Sequence, residues 1–489
     1  MWFNVSMTSS DKYQLVIGLE VHVQLLTESK IFAPDSTLFG SEPNTQISQI
    51  TLAHPGTLPK LNKKALEFAI KMGFACHSEI SRYNIWDRKN YFYPDLPKGY
   101  QLTQDRTPIC KGGHVSITKK DGTKMNVQLN RIHLEEDAGK SIHLDNEIDT
   151  LLDFNRAGTA LIEIVTEPVM HSAEEAGLVL NEIRKLVRYL EIGDGNMEEG
   201  SLRCDANVSV KLLTDSKLGK KVEIKNMNSV RNVQRAIEHE FERQIGLMER
   251  GEVIISETRT FNADNGKTYA MRTKEELNDY RYFPDPDVCP VIVLDDWLNN
   301  IKSSMPALPE ALLAKLQSQY GLPEYDARVL TESKELVRYF ESVCQHTKNF
   351  KAVSNWLMVS VKSYLNERNL EITELVIAPK ALADLIELVD AGKVSHTIAT
   401  QKIFFEMLNG AGETPLVIAQ RLNVLQESNS AALEKIVDEV LFELPLKVEE
   451  YQKGKKGIIS MFMGEVMKRT QGKADPKVTN QILIEKLKK

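Results

Sequence analysis

From Ile17 to Leu25 the chain alternates strictly. Ile17, Leu19, Val21, Val23 and Leu25 take the odd positions, and Gly18, Glu20, His22 and Gln24 the even ones. Period 2 marks a strand with one face in a core, so this segment requires a sheet whose other face is polar. Glu20 and His22 share that polar face, about 6.5–7 Å apart at the backbone. Alternating runs recur at Leu202–Leu212 and Val222–Lys225, with a shorter apolar stretch at Leu161–Val165. Two helical patterns interrupt them. One opens at Ser172 with Glu175 three residues on, a capping box, and stops at Gly193. The other runs from about Ser229 to Gly251, with Val230, Val233, Ile237 and Phe241 at helical spacing. Strands that do not alternate regularly with helices predict an α+β domain with a mainly antiparallel sheet.

Near residue 300 the strand signal ends. Pro309–Tyr320, Glu332–Cys344, Ser354–Asn366, Pro379–Ala391, His396–Leu408 and Ala431–Leu441 each read as an amphipathic helix, so the second half is all-helical. A chain of 489 residues exceeds the roughly 250–300 at which one core stops growing, so two or three domains are expected.

Charge excludes a globally basic nucleic-acid binder: the net formal charge is −7. From Tyr451 onward, however, ten Lys or Arg stand against three acids, so the last segment carries +7 and the remainder −14. A basic end on an acidic body suits phosphate contact or a solvated helical surface. Five scattered cysteines, Cys76, Cys110, Cys204, Cys289 and Cys344, exclude CxxC spacing and a dense disulfide framework. No apolar run reaches the roughly 18 residues of a membrane span, and Met1–Lys12 lacks an apolar leader, which predicts a cytosolic protein.

Chemistry-bearing residues fall in four clusters. Besides Glu20-x-His22 there is His133-Leu-Glu-Glu-Asp, where a regular strand would put His133 and Glu135 on one face and Glu136 on the other unless a bulge re-aimed one. A third places Arg203, Asp205 and Asn207 on one strand face; a fourth does so with Glu223 and Lys225. Carboxylates with imidazole and no thiolate are a hard donor set suited to Mg²⁺ or Mn²⁺. The interleaved Arg82, Arg88, Lys89, Arg203 and Lys225 would neutralise a polyphosphate. The alternative is a set of solvated salt bridges on strand faces. Gly139-Lys-Ser and Gly266-Lys-Thr are not P-loops, since Leu134 and Phe261 occupy the required glycine positions. No Gly-x-Ser-x-Gly elbow exists.

Longer stretches carry a resemblance. Val16-Ile-Gly-Leu-Glu-Val-His-Val-Gln-Leu, Asp87-Arg-Lys-Asn-Tyr-Phe-Tyr-Pro-Asp-Leu-Pro-Lys-Gly-Tyr-Gln, His133-Leu-Glu-Glu-Asp-Ala-Gly-Lys, Met197-Glu-Glu-Gly-Ser-Leu-Arg-Cys-Asp-Ala-Asn, Lys225-Asn-Met-Asn-Ser and Asp279-Tyr-Arg-Tyr-Phe-Pro-Asp-Pro-Asp closely resemble the B subunits of aspartyl/glutamyl-tRNA(Asn/Gln) amidotransferases, of the bacterial type. The resemblance implies transfer of the ATP γ-phosphate to the side-chain carboxylate of misacylated Asp-tRNA(Asn) or Glu-tRNA(Gln), followed by amidation. Ammonia would come from the amidase, or A, subunit, with a small C subunit as a further partner. It implies a catalytic cradle like those of glutamine synthetase and guanidino kinases over residues 1–297, a helical domain over 298–405 and a helical tRNA-binding tail over 406–489.

Carried onto this sequence, the resemblance makes Lys89, Glu135, Asp205 and Glu223 catalytic candidates and Arg88, Arg203 and Lys225 ATP-binding ones. Glu20, His22 and Glu136 would hold Mg²⁺, with Glu135 as the alternative to Glu136. In the tail, Ile458, Ile459, Phe462, Val466 and Met467 have the spacing of a core-facing stripe, which leaves Lys455, Lys456, Lys468, Arg469, Lys473 and Lys477 for phosphates. Many relatives have a four-cysteine zinc knuckle between the first strand and Pro55-Gly-Thr-Leu-Pro. Lys30–Pro59 contains no cysteine here, and no zinc is expected.

Overall fold

A computed structural model describes residues 12–144, 148–273, 280–410, 412–426, 430–470 and 473–488. The first eleven residues, Asp279 of the last motif and Lys489 of the tail lie outside them. Two units divide the chain after Leu308.

The first unit is organised by the strand that the alternation predicts, Tyr13–Gln24. Ile17, Leu19, Val21 and Val23 are fully buried on one face, each contributing roughly 1.5–3 kcal/mol relative to exposure. Leu202–Leu212 pairs on one side of it and Ala160–Thr166 on the other, both antiparallel. Outward from Leu202–Leu212 come Val222–Met227, Glu257–Asn262 and Lys267–Thr273. Outward from Ala160–Thr166 come Lys124–Glu136, Tyr100–Thr103, Asp87–Asn90 and Phe283–Pro284. Val222–Met227 and Glu257–Asn262 pair in parallel, so the large sheet is mixed. Its one parallel step among the described residues is where the helix Val230–Glu249 crosses between them, as a parallel connection requires.

Helices Lys63–Ala75, Ala173–Tyr189 and Val230–Glu249 pack Ala69, Ile70, Leu180, Ile183, Val233 and Ile237 into the core against the apolar sheet face. Ser172 and Ser229 cap the latter two by accepting from Glu175 and Asn232 backbone N–H groups. The box at Ser172 closes differently from the expectation, because the Glu175 carboxylate accepts from His171 N at 2.6 Å and pairs with Lys119. That helix ends at Tyr189, short of Gly193: Glu191 takes the left-handed turn, with φ 56°. At the end of Val230–Glu249, Gly251 does so, with φ 72°.

The second unit is helical throughout its described residues. Two of the expected helices are interrupted by wide turns, Leu357–Val361 and Ala399–Ile403, where one extra residue per turn is accommodated. One core spans Leu316 to Val424 and another Leu433 to Leu487. Ile403, Met407, Ile418 and Val424 share the former, so position 405/406 falls within a single packed cluster. Leu298 and Ile301 likewise belong to the first unit's core, which places position 297/298 inside the helix Asp295–Ser303. In the tail, Phe462 and Val466 are buried, with Ile458, Ile459 and Met467 against them. No described helix is long and apolar enough to cross a membrane.

Candidate active site

The polar sheet face collects its functional groups across strands. Neighbouring strands lie ~4.8 Å apart, whereas i and i+2 on one strand are ~6.6 Å apart, so side chains reach sideways more easily than along. His22 stands opposite Glu163 on one neighbour and Arg203 on the other, and Glu163 stands opposite His133. His22 Nε2 is 3.6 Å from Glu163 Oε2 and 3.7 Å from Glu135 Oε1, and His133 Nε2 is 3.2 Å from Glu163 Oε2. Burial disfavours the Glu163 charge, but His133 and His22 outweigh it and hold the carboxyl well below its usual range. Burial opposes the His22 charge too, and Glu163 and Glu135 overcome it, raising that pKa.

Donor atoms of His22, Glu135 and Glu163 all lie within 4.8 Å of one another. Glu135 Oε2 and His133 Nδ1 are buried without a hydrogen-bond partner. Lys89 Nζ is 4.0 Å from Glu135 Oε2 and 5.2 Å from the Tyr280 ring centre; burial lowers its pKa, and Glu135 reverses this into a rise.

A second grouping lies one row along. Donor atoms of Glu20, Asp205 and Glu223 come within 4.8 Å of one another. Lys225 Nζ donates to Asp205 at 2.5 Å and sits 3.0 Å from Glu223. Asn207 Nδ2 donates to Glu20 at 2.9 Å, and the Thr258 hydroxyl to Glu223 at 2.8 Å. An open cavity of about 510 Å³ is lined by His22, Lys89, Glu135, Arg203, Asp205 and Lys225 among others. One carboxylate from each grouping, Glu135 and Asp205, thus faces one polar cavity together with Lys89 and Lys225.

Comparison with known proteins places the chain in a family. Residues 15–299 match the GatB/GatE catalytic domain and residues 338–487 the GatB domain. The aspartyl/glutamyl-tRNA(Asn/Gln) amidotransferase B subunit of Thermoanaerobacter pseudethanolicus is 47% identical over 478 residues, covering 98% of this chain and all of the relative. The chain belongs to the amidotransferase B-subunit family. Its counterpart in Thermodesulfovibrio yellowstonii is 47% identical over 98% of this chain and 100% of its own. That of Geotalea uraniireducens is 48% identical over 97% and 99%.

Within this B-subunit chain the candidates separate by strand parity and register. Lys89, Glu135, Asp205, Arg203 and Lys225 line the cavity, and Glu223 stands behind Asp205. Glu20 and His22 do not meet at one point, because each is drawn to a different cross-strand set. Glu136 joins neither. Pairing through Glu135 and Glu136 is regular, with the register shift at Val165/Thr166 instead, so Glu136 points to the opposite face. There it pairs with Lys98 and accepts from Leu102 N at 2.7 Å. Arg88 also faces away, since it neighbours Lys89 on a strand; it is held by Asp285 at 2.6 Å and Asp287 at 2.9 Å. Arg203 lines the cavity but donates to Asp137 at 2.9 Å.

Sequence reading missed Glu163, whose signal is a lone acid inside the apolar run Leu161-Ile-Glu-Ile-Val. In the tail, Arg469 pairs with Glu443 and lies 3.8 Å from Glu439, Lys455 is 3.3 Å from Glu450, and Lys456 sits 4.1 Å over the Tyr451 ring. Lys468, Lys473 and Lys477 have no ion pair among the described residues.

Proposed function

We propose that the chain is the B subunit of an ATP-dependent, tRNA-dependent amidotransferase that converts misacylated Asp-tRNA(Asn) or Glu-tRNA(Gln) to Asn-tRNA or Gln-tRNA in the cytosol. It works with the amidase A subunit, which supplies ammonia, and the small C subunit. The observation that carries the reading is that Glu135 and Asp205, one from each carboxylate grouping, line one cavity with Lys89 and Lys225, in a chain of this family. A mixed sheet with one polar face and helices behind it supports a cradle akin to those of glutamine synthetase and guanidino kinases. The division of labour read from the sequence, a cradle over 1–297, a helical domain over 298–405 and a tRNA-gripping tail over 406–489, shifts with the packed cores to boundaries after Leu308 and after Val424.

His22, Glu135 and Glu163 fit Mn²⁺ or Mg²⁺, because two of the three are hard carboxylate donors and the buried Glu135 Oε2 has no hydrogen bond to lose. Glu20, Asp205 and Glu223 are a second such set. Bound cations would neutralise charge on the ATP phosphates. Lys89 draws in the carboxylate of the aminoacyl group, and Lys225 and Arg203 face the phosphates. The carboxylate oxygen attacks the γ-phosphorus and ADP departs. Ammonia then displaces phosphate from the acyl phosphate and sheds a proton.

Given ATP and misacylated tRNA but no glutamine, the reconstituted complex should release ADP and form an acid trappable by hydroxylamine. Release of AMP and pyrophosphate would replace the kinase reading with an adenylating ligase.

For the tail, changing Lys468, Lys473 and Lys477 together to Gln should weaken binding of charged tRNA. The log–log salt slope should also fall by roughly one unit per lost phosphate contact. Arg469→Gln, which removes a cation already bound to Glu443, should leave the slope unchanged. Equal slopes for the triple variant and the wild type would reduce the tail to a solvated surface.

A further inference from the structure

Four tyrosines gather beside Lys89, whose Nζ lies 6.0 Å from the Tyr91 ring centre and 5.2 Å from that of Tyr280. Tyr91 lines the cavity, and its ring centre lies 5.8 Å from those of both Tyr93 and Tyr280, edge to face in each case. Tyr280 meets Tyr282 at 6.3 Å in the same manner. The set opens outward: Tyr93 is 55% exposed and Tyr282 41%. Residues 280–283 are anchored to the sheet, since Asn90 N donates to Tyr280 O at 2.8 Å and Asn90 Nδ2 to Arg281 O at 2.7 Å, and Phe283 pairs with Arg88. A contiguous exposed aromatic surface at the rim of a cavity marks a binding surface.

We infer that these rings are the stacking platform for the unpaired 3′ end of the misacylated tRNA. The inference rests on the function proposed above. The carboxylate that reacts is the side chain of an amino acid whose α-carboxyl is esterified to the terminal ribose, so when it lies at Lys89 the last base lies within about one residue's reach of the cavity rim. Unpaired bases are held chiefly by stacking on aromatic rings, without need of a base-specific contact. Strand order separates this surface from the nucleotide. Lys225, Asp205 and Glu223 come from strands beyond Tyr13–Gln24, five strands intervening between Val222–Met227 and Asp87–Asn90. ATP with its phosphates at Lys225 leaves the tyrosine side to the acceptor.

A mutant cycle on the reconstituted complex tests this. Tyr93→Ala and Tyr282→Ala should each weaken binding of intact misacylated tRNA roughly five- to a hundredfold and raise its KM while kcat at saturation holds. Binding of the same tRNA lacking its last three nucleotides should be unchanged by either substitution, and so should the KM for ATP. Tyr93→Phe and Tyr282→Phe keep the rings and should behave as wild type. Equal losses on intact and truncated tRNA would overturn the proposal. So would a rise confined to the KM for ATP, which assigns the rings to adenine, or loss of assembly with the amidase, which assigns them to a protein interface. Failure of the wild-type complex to amidate misacylated tRNA would overturn the functional reading itself, and this inference with it.

Discussion

Glu163→Gln should lower ATP-dependent amidation by about 10²- to 10⁴-fold, while glutamine hydrolysis by the complex without tRNA stays near wild type. Glu163 lies between His22 and His133 and completes the one candidate metal-ligand trio that contains an imidazole among the described residues. Removing its charge would take away a proposed cation ligand and a charged partner of both imidazoles at once. Loss of several kcal/mol of charge stabilisation at the phosphates, at ~1.4 kcal/mol per decade, gives that range. Mn²⁺ binding followed by electron paramagnetic resonance should weaken in Glu163→Gln and His22→Ala. In Glu136→Gln it should not, because Glu136 holds Lys98 on the other face. Normal Mn²⁺ binding and amidation in Glu163→Gln would remove the trio from the mechanism.

Asp137→Ala should cost the full chain about 2–3 kcal/mol of stability, read from denaturant unfolding. Asp137 is 3% exposed and accepts from Arg203 at 2.9 Å and Gln24 at 2.8 Å. Breaking a buried pair typically costs about 3–5 kcal/mol, and water reaching the partly exposed Arg203 side chain offsets part of that. The pH dependence has a definite sign. Burial raises the Asp137 pKa, but Arg203 and Arg156 overcome this and leave it depressed. Its contribution is therefore complete above the unfolded-state value of about 3.9 and is lost as pH falls through the lower folded value. Between pH 5 and pH 3 the wild type should lose more stability than Asp137→Asn does. Parallel curves would mean that Asp137 does not remain charged in the folded chain.

Much of this architecture is local, and local features are legible along the chain. The alternation from Ile17 to Leu25 yields one strand with one buried face, since burial of every second residue leaves no other regular conformation. Ser172 and Ser229 announce helix starts because a side-chain oxygen there satisfies a backbone N–H two or three residues away. The family resemblance, carried by long ordered motifs, holds over nearly the whole length. What a chain position cannot reveal is its cross-strand neighbour. Glu20 and His22 sit two residues apart yet serve different groupings, and Glu163, 141 positions from His22, is the side chain directly opposite it. Arg88 and Lys89 are adjacent, and parity sends them to opposite faces. Arg469 counts as a free cation in the sequence, and helix packing gives it to Glu443. Periodicity and capping are set by neighbours in the chain, so the sequence alone determined the strands Tyr13–Gln24, Leu202–Leu212 and Val222–Met227, the helices that start after Ser172 and Ser229, and the polarity of the faces of Tyr13–Gln24, but not the helix Lys63–Ala75 or the outer strands Glu257–Asn262 and Lys267–Thr273. The grouping of charges depends on strand register and helix contact, which act over ~5 Å in space and any distance in sequence, and only the tertiary structure decided it.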